Sequence, residues 1–186
     1  MPIIQVNNIF TSEELEHIKN TIFADGIDLD ETLGRRHFKA SVMYVLTDEM
    51  VEKLYAIAKQ ASDLPLAMAH AQVTEYSSLY GQPNLPPHFD GDTNDLIINM
   101  QLESNTSWPI GLNTQTYTLE DNSAVVFNGN TEAHWRTHKK FEEGEYVRMM
   151  FVRFYNEEKL SDYSYLPMNQ MDSVFDDARK LRDSLI

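Results

Sequence analysis

The chain has 186 residues, a formal net charge of −14 and no cysteine. The length fits one domain, so we expect a single domain over residues 1–186. Without cysteine, the sequence excludes disulfides, zinc–thiolate sites and thiol nucleophiles. A chain this acidic would repel phosphate groups. We therefore expect neither nucleic acid nor an anionic membrane as a partner. No apolar run approaches the roughly 20 residues of a membrane span. The start of the chain lacks signal-peptide features, so a cytoplasmic location is the default expectation.

Two helices are predicted in the N-terminal part of the chain, about residues 1–66. Residues 10–23 and 47–64 carry apolar side chains at helical spacing behind capping hydroxyls, and Pro65 ends the second helix. Between these helices, residues 37–46 could hold a strand.

From about residue 67 to 156, short strand-like runs alternate with turn residues, which is typical of an antiparallel sandwich or barrel. A last helix is predicted over about residues 171–186. The strand-like runs are 71–80, 95–103, 111–119, 123–129 and 146–155. This order predicts a mainly β fold with flanking helices in one domain.

The segment "LPPHFDGD" places His88 and Asp90 two residues apart behind two prolines. The prolines disfavour helix, and in an extended segment residues i and i+2 point to the same side. An imidazole and a carboxylate would then converge on one point. A pair at this spacing occurs often by chance, so a third ligand is needed.

His134, after the apolar run "SAVVFNG", is the predicted third ligand. Two histidines and one carboxylate on a β-scaffold form the facial triad of non-heme Fe(II) oxygenases, which leaves coordination positions open for other ligands. His138 competes for this role, but it adjoins Lys139 and Lys140 in a segment that looks solvated. The remaining three histidines, His17, His37 and His70, are expected to be structural or surface residues.

The last apolar strand, "GEYVRMMFVRFY", carries Arg148 and Arg153. A guanidinium in such a strand needs a partner, and its planar shape suits a carboxylate. The two arginines are five residues apart, so on a regular strand only one of them can face a given side. We expect Arg148 to be the residue that faces the site, because it lies nearer to the triad.

Together, residues 70–155 resemble the 2-oxoglutarate/Fe(II)-dependent dioxygenase superfamily, in particular its prolyl 4-hydroxylase-like branch. The resemblance lies in "VTEYSSLYG", "PHFDGD", "AVVFNGN", "AHW" and "GEYVRMMFVRF". It implies a double-stranded β-helix (jelly-roll) core with Fe(II) on His88, Asp90 and His134. It further implies 2-oxoglutarate as cosubstrate, bound by Arg148.

The resemblance also implies that Tyr80 or Tyr76 contacts the cosubstrate. The implied reaction releases succinate and CO2 and hydroxylates a peptidyl or free amino acid or another small molecule. Asp90 favours hydroxylation, because superfamily members that halogenate usually lack this carboxylate. Two alternatives stay open: a non-catalytic jelly-roll binding module, and a metal-dependent dioxygenase that does not use 2-oxoglutarate.

Several further residues could shape the site. Asn99 and Gln101 could line the pocket or face water, and Trp135 and Arg136 could shape the substrate mouth. The segments 26–36 and 161–170 could act as lids. The substrate and the oligomeric state stay undetermined at this point.

Overall fold

Two antiparallel sheets and three helices form the described part of the chain. The structure is a computed structural model and describes residues 1–24, 34–38, 42–91, 94–159 and 168–185. The helices are α1 Ser12–Ala24, α2 Asp48–Ala61 and α3 Met168–Ser184. The strands are β1 Ile4–Asn7, β2 Arg35–Phe38, β3 Leu66–Ser77, β4 Leu96–Ser104, β5 Ile110–Leu112, β6 Gln115–Tyr117, β7 Ser123–Phe127, β8 His134–Arg136 and β9 Tyr146–Asn156.

The large sheet has six strands in the order β1-β7-β4-β9-β3-β2. Its side chains alternate between two apolar clusters, as the pleat requires. On β9, Met150, Val152 and Phe154 pack into the cluster that holds the buried residues of α1 and α2. Val147 and Met149 belong to the second cluster, which fills the space between the two sheets. On β9, even-numbered residues therefore face the helices and odd-numbered residues face the small sheet.

The small sheet has three strands in the order β6-β5-β8. Gly111 on β5 is paired with Trp135 on β8, and a Cβ at position 111 would collide with the indole ring. Helix α3 lies on the outer side of this sheet, where Ala178 packs against Ala133 and Trp135. The small sheet is thus held between the large sheet and α3.

The predicted mainly β fold with flanking helices is confirmed. One difference concerns residues 111–119, predicted as one strand, which form the hairpin β5–β6. The hairpin turns at Asn113, whose φ of 50° lies in the left-handed region that asparagine tolerates. Strand β1 was not predicted. Of the two possible lid segments, residues 26–33 and 161–167 lie outside the described residues.

The strand expected within 37–46 starts earlier, at Arg35, and is described up to Phe38; residues 39–41 lie outside the described residues. None of the helices in the described ranges is long and apolar enough to cross a membrane.

Candidate metal centre and its cleft

The segment that carries His88 and Asp90 lies beside β8, which carries His134. His88 and His134 form an antiparallel bridge: the His88 N–H donates to the His134 carbonyl at 3.1 Å, and the His134 N–H donates back at 2.9 Å. The Asp90 N–H donates to the carbonyl of Gly129 at 2.9 Å. The backbone of both segments is therefore fixed by hydrogen bonds next to the predicted ligands.

Side-chain alternation orients the "HFD" segment. Phe89 points to the outer side, where its ring lies 4.5 Å from that of Phe175 on α3. His88 and Asp90 point to the inner side, toward the space between the sheets. Packing of Phe89 under α3 thus holds the two flanking side chains toward the cleft.

The three predicted ligands converge. Asp90 Oδ1 lies 3.7 Å from His88 Nε2 and 3.5 Å from His134 Nε2. One ligand atom from each residue lies within 4.8 Å of those of the other two. An ion placed among them could contact all three, so the structure brings the whole predicted triad together. His138, the competing histidine, instead pairs with Asp183 at 3.2 Å and is not part of this group.

Hydrogen bonds fix the tautomers of both histidines. His88 Nδ1 lies 2.8 Å from the carbonyl oxygen of Pro86, and His134 Nδ1 lies 3.1 Å from that of Glu132. A carbonyl oxygen can only accept, so each Nδ1 carries a proton, and in the neutral ring each Nε2 then has a free lone pair. Both lone pairs face Asp90, as a pair of metal-ligating imidazoles requires.

The electrostatic surroundings keep two of the ligands, His88 and Asp90, unprotonated. Burial lowers the pKa of His88 to about 4, and the neighbouring His134 acts in the same direction. Burial would raise the pKa of Asp90, but its hydrogen bond with His134 and the charges of His134 and Arg153 lower it to about 2. At neutral pH, His88 is neutral and Asp90 is ionised, which are the forms that bind metal.

A cleft of about 470 Å³ opens from the triad along the inner face of the large sheet. Ile97, Phe127 and Phe151 form an apolar wall beside the ligands, with the Phe127 ring 5.0 Å from that of His134.

Besides the three predicted ligands and Tyr76, which are described separately, polar side chains line the cleft at Arg35, His37, Gln72, Asn99 and Arg153. His37 hydrogen-bonds the Thr74 hydroxyl at 2.7 Å through Nδ1. His37 was expected to be a structural or surface residue; it lines the cleft but is not part of the group of predicted ligands. The sequence carried a weak signal for it: Arg35 and His37 are two residues apart, so both face the same side of a strand.

The predicted position of Arg148 is wrong. Its guanidinium donates to Glu75 at 2.5 Å and to Glu103 at 2.7 Å. These two residues are its direct neighbours on β3 and β4, on the face of the sheet that packs against the helices. Arg153 has the opposite parity and lines the cleft. The choice between the two was made on distance along the chain, whereas the pleat of β9 decides it.

Of the two predicted tyrosines, Tyr76 lines the cleft. It is buried, and burial raises the pKa of its hydroxyl, although the charges of Arg136 and Arg35 lower it. Tyr80 instead accepts a hydrogen bond from Arg36 at 3.1 Å and donates to Glu75 at 2.9 Å. Tyr80 therefore belongs to the ion-pair network around Glu75 and not to the cleft.

Arg136 is a buried cation next to two cleft residues, Asn99 and His134, although it does not itself line the cleft, and the sequence did not single it out as a ligand-binding group. Its side chain is 1% exposed and lies between the sheets, where it donates to the Trp108 carbonyl at 2.5 Å and lies 3.5 Å from Asn99 Oδ1. Burial lowers its pKa to about 10, so it stays charged at neutral pH. Within the described residues, no carboxylate forms a salt bridge with it. The sequence feature that could have pointed to Arg136 is its position two residues after His134, which puts both side chains on the same side of β8.

No family model matches this chain, and no curated protein is significantly similar to it in sequence. Solved structures do match. HygX from Streptomyces hygroscopicus, solved with nickel, 2-oxoglutarate and hygromycin B, superposes with a TM-score of 0.64 at 11% identity, covering 83% of each chain. SnoN from nogalamycin biosynthesis superposes with a TM-score of 0.64 at 10% identity, covering 89% of this chain and 85% of SnoN. SnoN is described as a non-heme, alpha-ketoglutarate-dependent epimerase.

A prolyl hydroxylase from Trichoplax adhaerens, in complex with a peptide of hypoxia inducible factor, gives a TM-score of 0.57 at 10% identity, covering 84% of each chain. At this level of identity the comparisons establish the fold. The chain therefore has the jelly-roll fold of the 2-oxoglutarate/Fe(II) oxygenases.

Proposed function

We propose that this protein is a non-heme Fe(II) oxygenase that uses 2-oxoglutarate as cosubstrate. The observation that carries the proposal is the convergence of His88 Nε2, His134 Nε2 and Asp90 Oδ1 at the mouth of the cleft. Both imidazoles are held by their Nδ1–H groups with Nε2 free. Such second contacts are those expected of metal-ligating histidines.

The donor set fits Fe(II). Two imidazoles and one carboxylate on one side of an ion match the facial triad of non-heme iron oxygenases and leave the opposite side open. Asp90 supplies the negative charge that the ion needs, and the buried surroundings strengthen the attraction. His88, Asp90 and His134 are thus the residues that would hold the metal.

A second observation supports a dicarboxylate cosubstrate: the buried guanidinium of Arg136. An uncompensated buried cation is costly, and a bound carboxylate would relieve this cost. Arg136 lies two residues beyond His134 on β8, or roughly 7 Å along the strand. The end carbons of a five-carbon dicarboxylate are about 5 Å apart, given C–C bonds of about 1.5 Å. Cosubstrate held at the metal by one end would therefore reach Arg136 with the other.

Asn99 and Tyr76 line the cleft and lie close to Arg136. Asn99 Oδ1 is 3.5 Å from Arg136, and the ring of Tyr76 packs edge-on against Trp108, over which the Arg136 guanidinium lies. We infer that Arg136 provides the ion pair to the far carboxylate and that Asn99 and Tyr76 provide further polar contacts. This places the cosubstrate cation on β8, and not on β9 as the resemblance suggested for Arg148.

Fe(II) bound at this triad would supply oxygen activation coupled to the conversion of 2-oxoglutarate into succinate and CO2, with oxidation of a substrate C–H bond. The protein's part is to position and to shield. Ile97, Phe127 and Phe151 exclude water from the ligand side of the cleft. Asp90 fills the third ligand position, which favours hydroxylation of the substrate, whether a peptidyl or free amino acid or another small molecule.

The proposal is tested by adding Fe(II) and 2-oxoglutarate to the protein without oxygen. The wild type should show the weak visible charge-transfer band of an iron–2-oxoglutarate chelate. His88→Ala should abolish the band, and His138→Ala should keep it, because His138 lies outside the ligand group. A folded, metal-loaded wild type without the band would refute the use of 2-oxoglutarate.

A further inference from the structure

Arg153 lies across the cleft from the metal ligands. On β4, Ile97 is paired with both Arg153 and Phe127, and the Phe127 ring contacts His134. Arg153 therefore sits at the level of the triad, on the wall where a substrate would face the metal. It lines the cleft together with Asp90 and His88.

The guanidinium of Arg153 has no ion-pair partner and no hydrogen-bond acceptor within the described ranges, and its Nε is fully buried. Arg35 and Arg36 also have a buried Nε without an acceptor, but Arg36 donates to the Tyr80 hydroxyl at 3.1 Å. Arg148, in contrast, binds two carboxylates, and Arg182 donates to the Arg136 carbonyl at 2.9 Å. A buried donor without an acceptor loses its hydrogen bonds to water and gains none in return, which destabilises the ligand-free protein. An unpaired cation in a chain with 29 acidic residues indicates that its partner is a ligand.

The cosubstrate is not that ligand. Arg136 contacts Met149, which precedes Arg153 by four residues on β9, or about 13 Å along the strand. One five-carbon dicarboxylate held at the metal cannot fill both positions.

The charges of the loaded site lead to the same conclusion. The positive charges of Fe(II) and Arg136 equal the negative charges of 2-oxoglutarate and Asp90. Arg153 is thus left with an uncompensated positive charge, which a third, anionic molecule would neutralise.

We propose that the substrate is a small molecule carrying an oxyanion, a carboxylate or a phosphate, and that Arg153 binds this group and so presents a nearby C–H bond to the metal. The inference rests on the proposed function, because it assigns the substrate side of the same site. A guanidinium suits either oxyanion through paired N–H donors.

The experiment uses protein loaded with Ni(II) and 2-oxoglutarate, so that the cosubstrate site is already occupied. The affinity for 2-oxoglutarate is measured first by calorimetry and reports on the proposed function alone. The loaded protein is then titrated with acetate, inorganic phosphate and the neutral analogue acetamide. The proteins compared are the wild type, Arg153→Gln, Arg153→Lys and Arg179→Gln. Arg179 is an exposed arginine of α3, so its variant removes the same charge outside the cleft.

The wild type and Arg179→Gln should bind acetate or phosphate and not acetamide. Arg153→Gln should bind the same anion at least tenfold more weakly, and Arg153→Lys should lie between them because it keeps the charge. Preference for acetate or for phosphate identifies which oxyanion the substrate carries. The inference is overturned if the loaded wild type binds neither anion, if Arg153→Gln binds them as the wild type does, or if Arg153→Gln instead loses 2-oxoglutarate.

Discussion

Replacing Arg136 by methionine should weaken the binding of 2-oxoglutarate while leaving the protein folded. The variant removes a guanidinium that is 1% exposed and has no carboxylate partner in the described part of the chain. A hydrogen-bonded pair involving a charged group contributes about 1.5–3 kcal/mol. Because about 1.4 kcal/mol corresponds to a tenfold change in Kd, the Kd for 2-oxoglutarate should rise about 10- to 100-fold.

The stability of Arg136→Met is set by two opposing effects. Methionine leaves the Trp108 carbonyl without its donor, which costs about 1–3 kcal/mol, but it also removes an unpaired buried charge. These effects offset each other, and 1 kcal/mol shifts the Tm of a protein of this size by about 2–4 °C. We therefore expect a Tm within a few degrees of the wild type.

The assay is calorimetric titration of 2-oxoglutarate into Ni(II)-loaded protein, with Tm measured without ligand. Unchanged 2-oxoglutarate affinity in a folded Arg136→Met protein would refute the assignment of Arg136 as the cosubstrate cation.

Three further predictions concern the fold and the ligands. Arg148→Met should leave 2-oxoglutarate binding unchanged. It should lower the free energy of unfolding by about 1–3 kcal/mol, because the buried carboxylate of Glu75 loses its ion-pair partner. This loss is smaller than for a fully buried pair, because the Arg148 side chain is 26% exposed. His88→Gln should reduce the loss of Tm between pH 6.5 and about 4, because the folded-state pKa of His88 is lowered and protonation there favours unfolding. Gly111→Ala should destabilise by about 1–3 kcal/mol, because the new methyl group collides with Trp135.

The results that would contradict these predictions are distinct. A weaker affinity for 2-oxoglutarate in Arg148→Met would return that residue to the cleft. An unaltered dependence of Tm on pH in His88→Gln would mean that His88 is not kept neutral by the fold. Gly91→Ala is the control for Gly111→Ala, because no atom lies within 4 Å of a Cβ added at position 91; equal Tm values for the two variants would contradict the packing argument.

Local patterns were enough to predict that His88, Asp90 and His134 come together. His88 and Asp90 are two residues apart behind two prolines, and this spacing alone fixes a common side in an extended segment. His134 followed from its place after an apolar strand. The bridge between His88 and His134 was not predictable, because it joins segments that are distant in the chain.

The prediction that Arg148 faces the cleft failed for a physical reason. Arg148 and Arg153 occur in one apolar strand, and the sequence shows that they face opposite sides but not which side is the cleft. The neighbours decide this: Glu75 and Glu103, on two other strands, flank Arg148 in the sheet. The proposed role of Arg136 could not be predicted from the sequence, because burial without a counter-charge is a property of the folded chain.

The most direct test of the account is a crystal structure of the protein with Ni(II) and 2-oxoglutarate. We expect the metal on His88 Nε2, Asp90 and His134 Nε2, and the far carboxylate of 2-oxoglutarate within hydrogen-bond distance of Arg136. Metal bound elsewhere, or a cosubstrate whose far carboxylate contacts another cation while Arg136 keeps only its present contacts, would contradict it.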